Sequence, residues 1–252
     1  TIDRMGLNIF KAEVERRSGI TFQPEKKYEF KYRHDEYGWH QNHEGLWYYT
    51  VFAENGRLYD DEIVQFKKAF LAIAQTGKAQ FRFTGNQNII ISDIQDADKK
   101  IIEEILGENG VSAVTESASP LRKNTLACVS FNTCPLALAE AQRYLPFLIT
   151  KIETLQQKHK IENEGISIRM TGCPNGCARP YIAEIGFVGT AYGKYNMHLG
   201  ADVVGTRLNK KYKENLDEAE ILVELDELFG KFAGNRKMKE SFGDFIIRSG
   251  IV

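Results

Sequence analysis

Two short segments, residues 127–135 and 171–179, hold every cysteine of the chain. The four residues are Cys128, Cys134, Cys173 and Cys177. Each pair lies beside proline or glycine, so each segment is expected to be a loop. Four thiols gathered into two close pairs predict one four-thiolate site built from two loops. Thiolate ligands favour zinc or an iron–sulfur cluster, and the rest of the chain is then the scaffold for that site.

The spacing of the cysteines distinguishes only partly between a zinc site and an iron–sulfur cluster. Structural zinc sites favour pairs with two to four intervening residues. The second pair, with three residues between its cysteines, suits zinc, whereas the first pair, with five, is wide. The spacing therefore favours a cluster and leaves zinc open. In the reducing cytosol, metal binding is favoured over two disulfides.

Composition narrows the class of protein. The 252 residues include 33 basic and 34 acidic side chains, which are interspersed and give a formal charge of −1. This balance predicts neither nucleic acid nor a membrane surface as a partner. No apolar run approaches the roughly 20 residues of a membrane span, and no secretory signal opens the chain, which predicts a cytoplasmic protein. The first residue is Thr1 rather than methionine, which suggests a fragment or a processed product.

The first part of the chain is expected to hold a connecting arm, residues 1–40, and a ferredoxin-like half-domain, residues 41–116. A short helix is predicted over residues 9–17. In the half-domain, an aromatic strand runs into Asn55-Gly56, which predicts a hairpin turn. A helix is predicted from Asp60 or Asp61 to Gly77, with Ile63, Phe66 and Phe70 on its packed face. Further strands at 81–83, 89–91 and 111–114, with a helix over 96–107, complete an α+β pattern.

Residues 117–252 are expected to form a mixed α/β domain around the cysteine loops. A helix is predicted to begin at Pro135, to aim its positive end at the thiolates, and to kink at Pro146. Alternating patterns predict strands at 166–170, 182–188 and 195–199. Asp217 is expected to cap a last long helix, and residues 245–248 to close the sheet as a strand.

Both cysteine segments resemble a known family. Ala127-Cys-Val-Ser-Phe-Asn-Thr-Cys-Pro-Leu-Ala-Leu-Ala-Glu140 and Met170-Thr-Gly-Cys-Pro-Asn-Gly-Cys-Ala-Arg179 are similar to the cluster motifs of the siroheme and 4Fe-4S nitrite and sulfite reductases, in particular the hemoprotein (beta) subunit of assimilatory sulfite reductases. Shorter matches at Phe10–Arg17, Asn86–Asn88 and Tyr195–Gly200 extend the resemblance over nearly the whole chain. The chain resembles only the C-terminal half of such proteins.

The resemblance implies a function and its cofactors. It implies reduction of sulfite to sulfide at a siroheme that shares one cysteine thiolate with a 4Fe-4S cluster. Cys177 is the implied bridging and catalytic residue, and all four cysteines are the implied cluster ligands. The implied siroheme contacts are Gln87, Phe131, Ala137, Asn175 and Cys177. Arginine binds carboxylates bidentately, so the candidates for the siroheme carboxylates are Arg122, Arg169 and Arg179.

The same resemblance implies partners. An electron-donor protein, either a flavoprotein subunit or a ferredoxin, is expected, together with the missing N-terminal half of the same polypeptide. Most substrate-binding residues of the family lie in that half, so the chain by itself is expected not to reduce sulfite. Three alternatives stay open: a siroheme nitrite reductase, a cofactor-free or zinc-binding fragment without enzymatic activity, and a pocket completed by two copies of the chain.

Overall fold

The computed structural model describes all residues from Thr1 to Val252. It divides into two compact units, Thr1–Lys31 and Tyr32–Val252. The first unit contains two helices, α1 (Ile2–Met5) and α2 (Leu7–Ser18), and α2 confirms the helix predicted over residues 9–17. Helix α2 ends at Gly19, whose φ of 69° is the left-handed conformation that glycine adopts easily.

The second unit begins with a four-stranded antiparallel sheet in the order β1-β2-β4-β3. Its strands are β1 (Gly38–Gln41), β2 (Trp47–Val51), β3 (Gln80–Phe83) and β4 (Ile89–Ile94). Three helices accompany it: α3 (Phe66–Thr76), α4 (Lys99–Glu108) and α5 (Val111–Ser117). The core between sheet and helices contains Tyr49, Val51, Ile73, Ile91, Ile102 and Leu106. This α+β arrangement confirms the predicted fold class.

Two local predictions in this sheet are wrong. Asn55-Gly56 closes no hairpin but ends a short 3-10 turn, Glu54–Gly56, because Asn55 is buried and its carbonyl accepts a 2.8 Å hydrogen bond from Gln142 Nε2. The hairpin instead joins β1 to β2. Residues 111–114 belong to helix α5 rather than to a strand, because Val111 and Val114, one helical turn apart, both pack on the core.

Helix α3 starts later than predicted. The Asp61 carboxylate accepts 2.8 Å hydrogen bonds from the backbone N–H groups of Ile63 and Val64, which holds this stretch in a turn. Asp60 then caps the helix from outside by accepting from the Lys67 N–H at 2.8 Å. Ile63 is 76% exposed, so its predicted packing role is wrong, whereas Phe66 and Phe70 lie at the core.

A second, five-stranded sheet follows in the order β5-β6-β7-β8-β9. Its strands are β5 (Thr125–Ala127), β6 (Ile168–Thr171), β7 (Ile185–Ala191), β8 (Lys194–Leu199) and β9 (Lys210–Leu216). The first three are parallel, and the last two pair antiparallel. The accompanying helices are α6 (Pro120–Lys123), α7 (Leu145–Lys158), α8 (Glu218–Asn235) and α9 (Phe242–Arg248).

Two helix predictions in this part of the chain are wrong. No helix begins at Pro135, since residues 128–144 form turns and α7 starts only at Leu145. Pro146 therefore lies in the first turn of α7, where proline needs no N–H partner, and it causes no kink. Residues 245–248 lie in helix α9 because Phe242, Phe245 and Ile246 recur at helical spacing and pack in the core. None of the helices combines the length and the apolar character that a membrane-spanning helix needs.

Candidate functional site

The parallel pairing of β5 and β6 brings the two cysteine segments to one edge of the sheet. Ala127 pairs with Met170 in the register of these strands. Cys128 directly follows β5, and Cys173 follows β6 after Gly172. The carboxyl ends of adjacent parallel strands meet at one edge, which is where ligand sites of such sheets form. The predicted meeting of the two loops therefore has a simple topological cause.

Gly172 joins the two loops. Its N–H donates to the Cys128 sulfur at 3.2 Å, and its carbonyl accepts from the N–H groups of Leu138 and Ala139 at 2.8 and 3.0 Å. Ser130 lies against the same glycine: a Cβ placed on Gly172 would meet Ser130 Oγ at 2.1 Å and the Ala139 carbonyl at 2.5 Å. Only glycine fits this contact, so Gly172 fixes the distance between the loops.

The four thiols are all free but differ in exposure. Cys173 is buried, Cys128 and Cys134 are half-buried, and Cys177 is exposed. Burial raises the pKa of the Cys128 thiol, the hydrogen bonds from the Gly172 and Ser130 backbone lower it, and the nearby thiols of Cys177 and Cys173 raise it. The Cys177 and Cys173 thiols therefore each lie within electrostatic range of the Cys128 sulfur. No group of three or more His, Cys, Asp or Glu side chains is arranged to ligate a single metal ion.

Gln87 reaches from the first sheet to the start of the first cysteine loop. Its Nε2 donates to the Ala127 carbonyl at 2.8 Å, while its Oε1 is buried and has no hydrogen-bond partner. The φ of Gln87 is 66°, a left-handed value that a turn must enforce. A buried acceptor without a donor is costly, and an incoming group with a donor or a displaceable water would satisfy it.

Asp35 holds the turn that carries Gln87, and no sequence pattern pointed to it. Its carboxylate accepts from Thr84 Oγ1 at 2.7 Å, Asn88 Nδ2 at 2.8 Å and Asn86 Nδ2 at 3.1 Å. Three donors converge on one carboxylate, so the residues flanking Gln87 are fixed from both sides. Asp35 lies some fifty residues before this turn in sequence, and only the fold brings them together.

The other predicted siroheme contacts lie on the two loops. The Phe131 carbonyl accepts from Arg143, and its ring is 6.5 Å from that of Tyr192. Ala137 is half-buried, and its N–H donates to the Cys134 carbonyl at 3.2 Å. Asn175 is exposed between Cys173 and Cys177. Their contacts with a cofactor stay predictions.

The three candidate arginines have different environments. Arg122 pairs with Glu54 at 2.5 Å and Glu153 at 2.6 Å, so it is not free to hold a third carboxylate. Arg179 is exposed just after Cys177 and donates to the Gly85 carbonyl. Arg169 is only 5% exposed, and its pKa is lowered to about 9 by burial and by the charges of Arg33 and Arg179.

The ion pairs of Arg122 lead to a prediction about the stability of the fold. Replacing Arg122 with methionine leaves the Glu54 and Glu153 carboxylates half-buried without their cation, and we expect the free energy of unfolding to fall by about 1–3 kcal/mol. Urea denaturation measures this difference. Lys100→Met is the control, since its 3.9 Å pair with Glu104 is exposed and its loss should leave the midpoint unchanged. Equal midpoints for all three proteins would contradict the structural role of Arg122.

Comparison with known proteins agrees with this architecture. Residues 40–109 match the family model described as the nitrite/sulfite reductase ferredoxin-like half domain. The solved structure of the Mycobacterium tuberculosis NirA protein superposes with a TM-score of 0.79 over 98% of this chain and 46% of that chain, at 24% identity. At that identity the similarity is one of fold.

Relatives at higher identity are longer proteins. The chain is 60% identical over its whole length to the sulfite reductase [NADPH] hemoprotein beta-component of Leptospira biflexa and 50% identical to that of an Escherichia coli strain. It covers 45% and 44% of these two proteins, so it spans slightly under half of the length of the relatives it matches. The predicted resemblance to the nitrite and sulfite reductases, and in particular to the hemoprotein beta-component of sulfite reductases, is confirmed.

Proposed function

We propose that the chain is part of a sulfite reductase, which reduces sulfite to sulfide at a siroheme coupled to a 4Fe-4S cluster. The observation that carries the proposal is the pair of cysteine loops joined at Gly172, with an N–H aimed at the Cys128 sulfur. Such amide-to-sulfur hydrogen bonds stabilise thiolates that carry the negative charge of a cluster. The names of the relatives support sulfite as the substrate.

The residues present suit a four-thiolate cluster. The proposed ligands are Cys128, Cys134, Cys173 and Cys177, all free thiols on loops at one sheet edge. Burial of Cys173 excludes water from the inner side of the site, and the exposed Cys177 leaves a sulfur open toward a neighbouring group. The resemblance of the second cysteine loop to the family motif makes Cys177 the proposed bridging ligand, and Cys173 is proposed to bind the cluster only.

The proposed siroheme contacts lie on the cysteine loops, apart from Gln87, whose Nε2 donates to the Ala127 carbonyl at the start of the first loop. The buried Gln87 Oε1 lacks a donor, and the exposed Arg179 guanidinium lies two residues after Cys177 with charge to offer a carboxylate. Asn175, Phe131 and Ala137 line the same loops. When bound, the paired cofactors would pass six electrons from the electron donor to sulfite one at a time, and the protein's part is to hold and orient the cofactors.

Nitrite is the alternative substrate, because the matching family model covers both nitrite and sulfite reductases. The relatives favour sulfite, as does the sequence of the first cysteine loop. A flavoprotein is the proposed electron donor, because the relatives are beta-components of enzymes named for NADPH. A cytoplasmic location is proposed with it.

We expect the 252-residue chain alone not to reduce sulfite, since it spans slightly under half of the length of its relatives and the resemblance puts most substrate-binding residues in the part that it does not span. With reduced methyl viologen as electron source, the loaded chain should yield no sulfide above background. A longer protein that contains the chain should consume six reducing equivalents for each sulfide formed. Ammonia from nitrite with no sulfide from sulfite would instead establish the nitrite alternative.

A further inference from the structure

A small cavity lies near the amino-terminal ends of β5 and β6, away from the cysteines. Its volume is about 20 Å³, and its lining includes Arg33, Lys123, Leu126, Ser167 and Arg169. Cys173 follows Arg169 by four residues, which is roughly 13 Å along an extended chain. No cysteine lines the cavity, although Arg179, at the end of the second cysteine segment, is an electrostatic neighbour of Arg169.

Arg169 lines this cavity without a partner. The side chain is 5% exposed, its guanidinium forms no hydrogen bond or ion pair within the chain, and Nη1 is buried without an acceptor. In the sheet register Arg169 lies opposite Leu126, an apolar neighbour that offers no acceptor from its side chain. An unpaired buried cation is strongly destabilising. An anion bound beside the Arg169 guanidinium would therefore stabilise the fold.

No carboxylate of the chain forms an ion pair with the Arg169 guanidinium. Glu184 faces Arg33, but its oxygens accept from the Ser167 N–H at 2.8 Å and the Gly243 N–H at 3.0 Å. Asp202 also faces Arg33 and accepts from the Thr206 N–H at 2.7 Å. The charged neighbours of Arg169 are the two cations Arg33 and Arg179. Lys123 lines the same cavity, so the local charge is positive.

We propose that this cavity binds one compact anion, a chloride ion or a single carboxylate group such as formate, against the guanidinium of Arg169. The volume sets the size, because a site for one water molecule needs about 10–15 Å³ and this cavity is only slightly larger. Arg33 and Lys123 add positive charge at the wall, whereas the Ser167 hydroxyl already donates to Glu184 Oε2 at 3.1 Å. The proposal does not depend on the function proposed for the cysteine loops.

The test is the dependence of thermal unfolding on small anions at constant ionic strength, with bulky gluconate as the replacement anion. For the 252-residue chain, formate or chloride should raise the unfolding midpoint saturably, by about 5 °C at saturation. Arg169→Met should show no saturable rise. In gluconate alone, Arg169→Met should melt above the unaltered chain, because the unpaired buried charge is gone. Arg4→Met, at an exposed arginine without a hydrogen-bond partner, should respond like the unaltered chain.

Equal anion responses of the unaltered chain and Arg169→Met would overturn the proposal, as would a midpoint of Arg169→Met below that of the unaltered chain in gluconate. If Arg169→Met does not fold, bromide-soaked crystals of the unaltered chain decide the matter. An anomalous peak within hydrogen-bonding distance of the Arg169 guanidinium supports the site, and no peak there overturns it.

Discussion

Replacing Cys128 with alanine should abolish cluster binding, with a loss of bound iron of at least roughly tenfold after anaerobic reconstitution with iron and sulfide. Cys128 is the thiol whose sulfur accepts the Gly172 N–H at 3.2 Å and whose pKa responds to Cys173 and Cys177. Without it, three thiolates on two loops cannot complete the four-ligand set. Iron and acid-labile sulfide per chain, measured after gel filtration, check the prediction.

Val129→Ala is the matched control for the cysteine change. It removes a larger apolar volume from the same loop, at a side chain that is 40% exposed, but leaves every thiol in place. Its iron content should equal that of the unaltered chain. Full iron retention by Cys128→Ala would mean that Cys128 is not a ligand, and the site would then have to be reassigned.

Replacing Gly172 with alanine should separate the two cysteine loops. The new Cβ would lie 2.1 Å from Ser130 Oγ and 2.5 Å from the Ala139 carbonyl, and backbone cannot move aside as a flexible side chain does. We expect the free energy of unfolding to fall by about 3 kcal/mol, with iron binding weakened as well. Urea denaturation and the same iron assay measure the two effects.

Gly85→Ala is the control for the glycine change, because a Cβ on Gly85 meets nothing within 4 Å and its φ is not positive. Its stability should stay within about 0.5 kcal/mol of the unaltered chain. A Gly172→Ala chain as stable as Gly85→Ala would show that the loops are not tightly joined at Gly172.

The sequence predicted the elements whose own residues carry strong local signals. Helix α8 is the clearest case, since the Asp217 carboxylate accepts from the Glu220 N–H at 3.0 Å and Glu220 accepts from the Asp217 N–H at 2.9 Å. This capping box lies wholly within four residues. Strands β7 and β8 were likewise predicted from their own patterns of apolar residues.

Predictions failed where distant contacts decide the local structure. Val111 is β-branched and suits a strand, yet it lies in helix α5, where it is buried in the core of the first sheet. Pro135 suits the start of a helix. The residues after it form a loop instead, because the N–H groups of Leu138 and Ala139 donate to the Gly172 carbonyl. Rules that read only the local sequence pattern do not detect such distant contacts.

In the candidate site, too, some residues were predicted from the sequence and others were missed. The four cysteines were predicted as one site because metal-binding chemistry restricts which side chains can serve as ligands. Gly172 and Asp35 were missed because each depends on a partner more than thirty residues away in sequence. The unpartnered state of Arg169 was missed because it depends on which distant residues the fold places around the side chain. The availability of Arg122 was misjudged for the same reason, since Glu54 and Glu153 are distant in sequence.

The most direct test of the central claim is the cofactor content of the chain after anaerobic reconstitution with iron, sulfide and siroheme. We predict about four cluster irons with about four acid-labile sulfides and about one siroheme per chain, with absorption from both groups. A colourless chain that retains about one zinc ion and no labile sulfide would contradict the account, because the two loops would then form a structural zinc site.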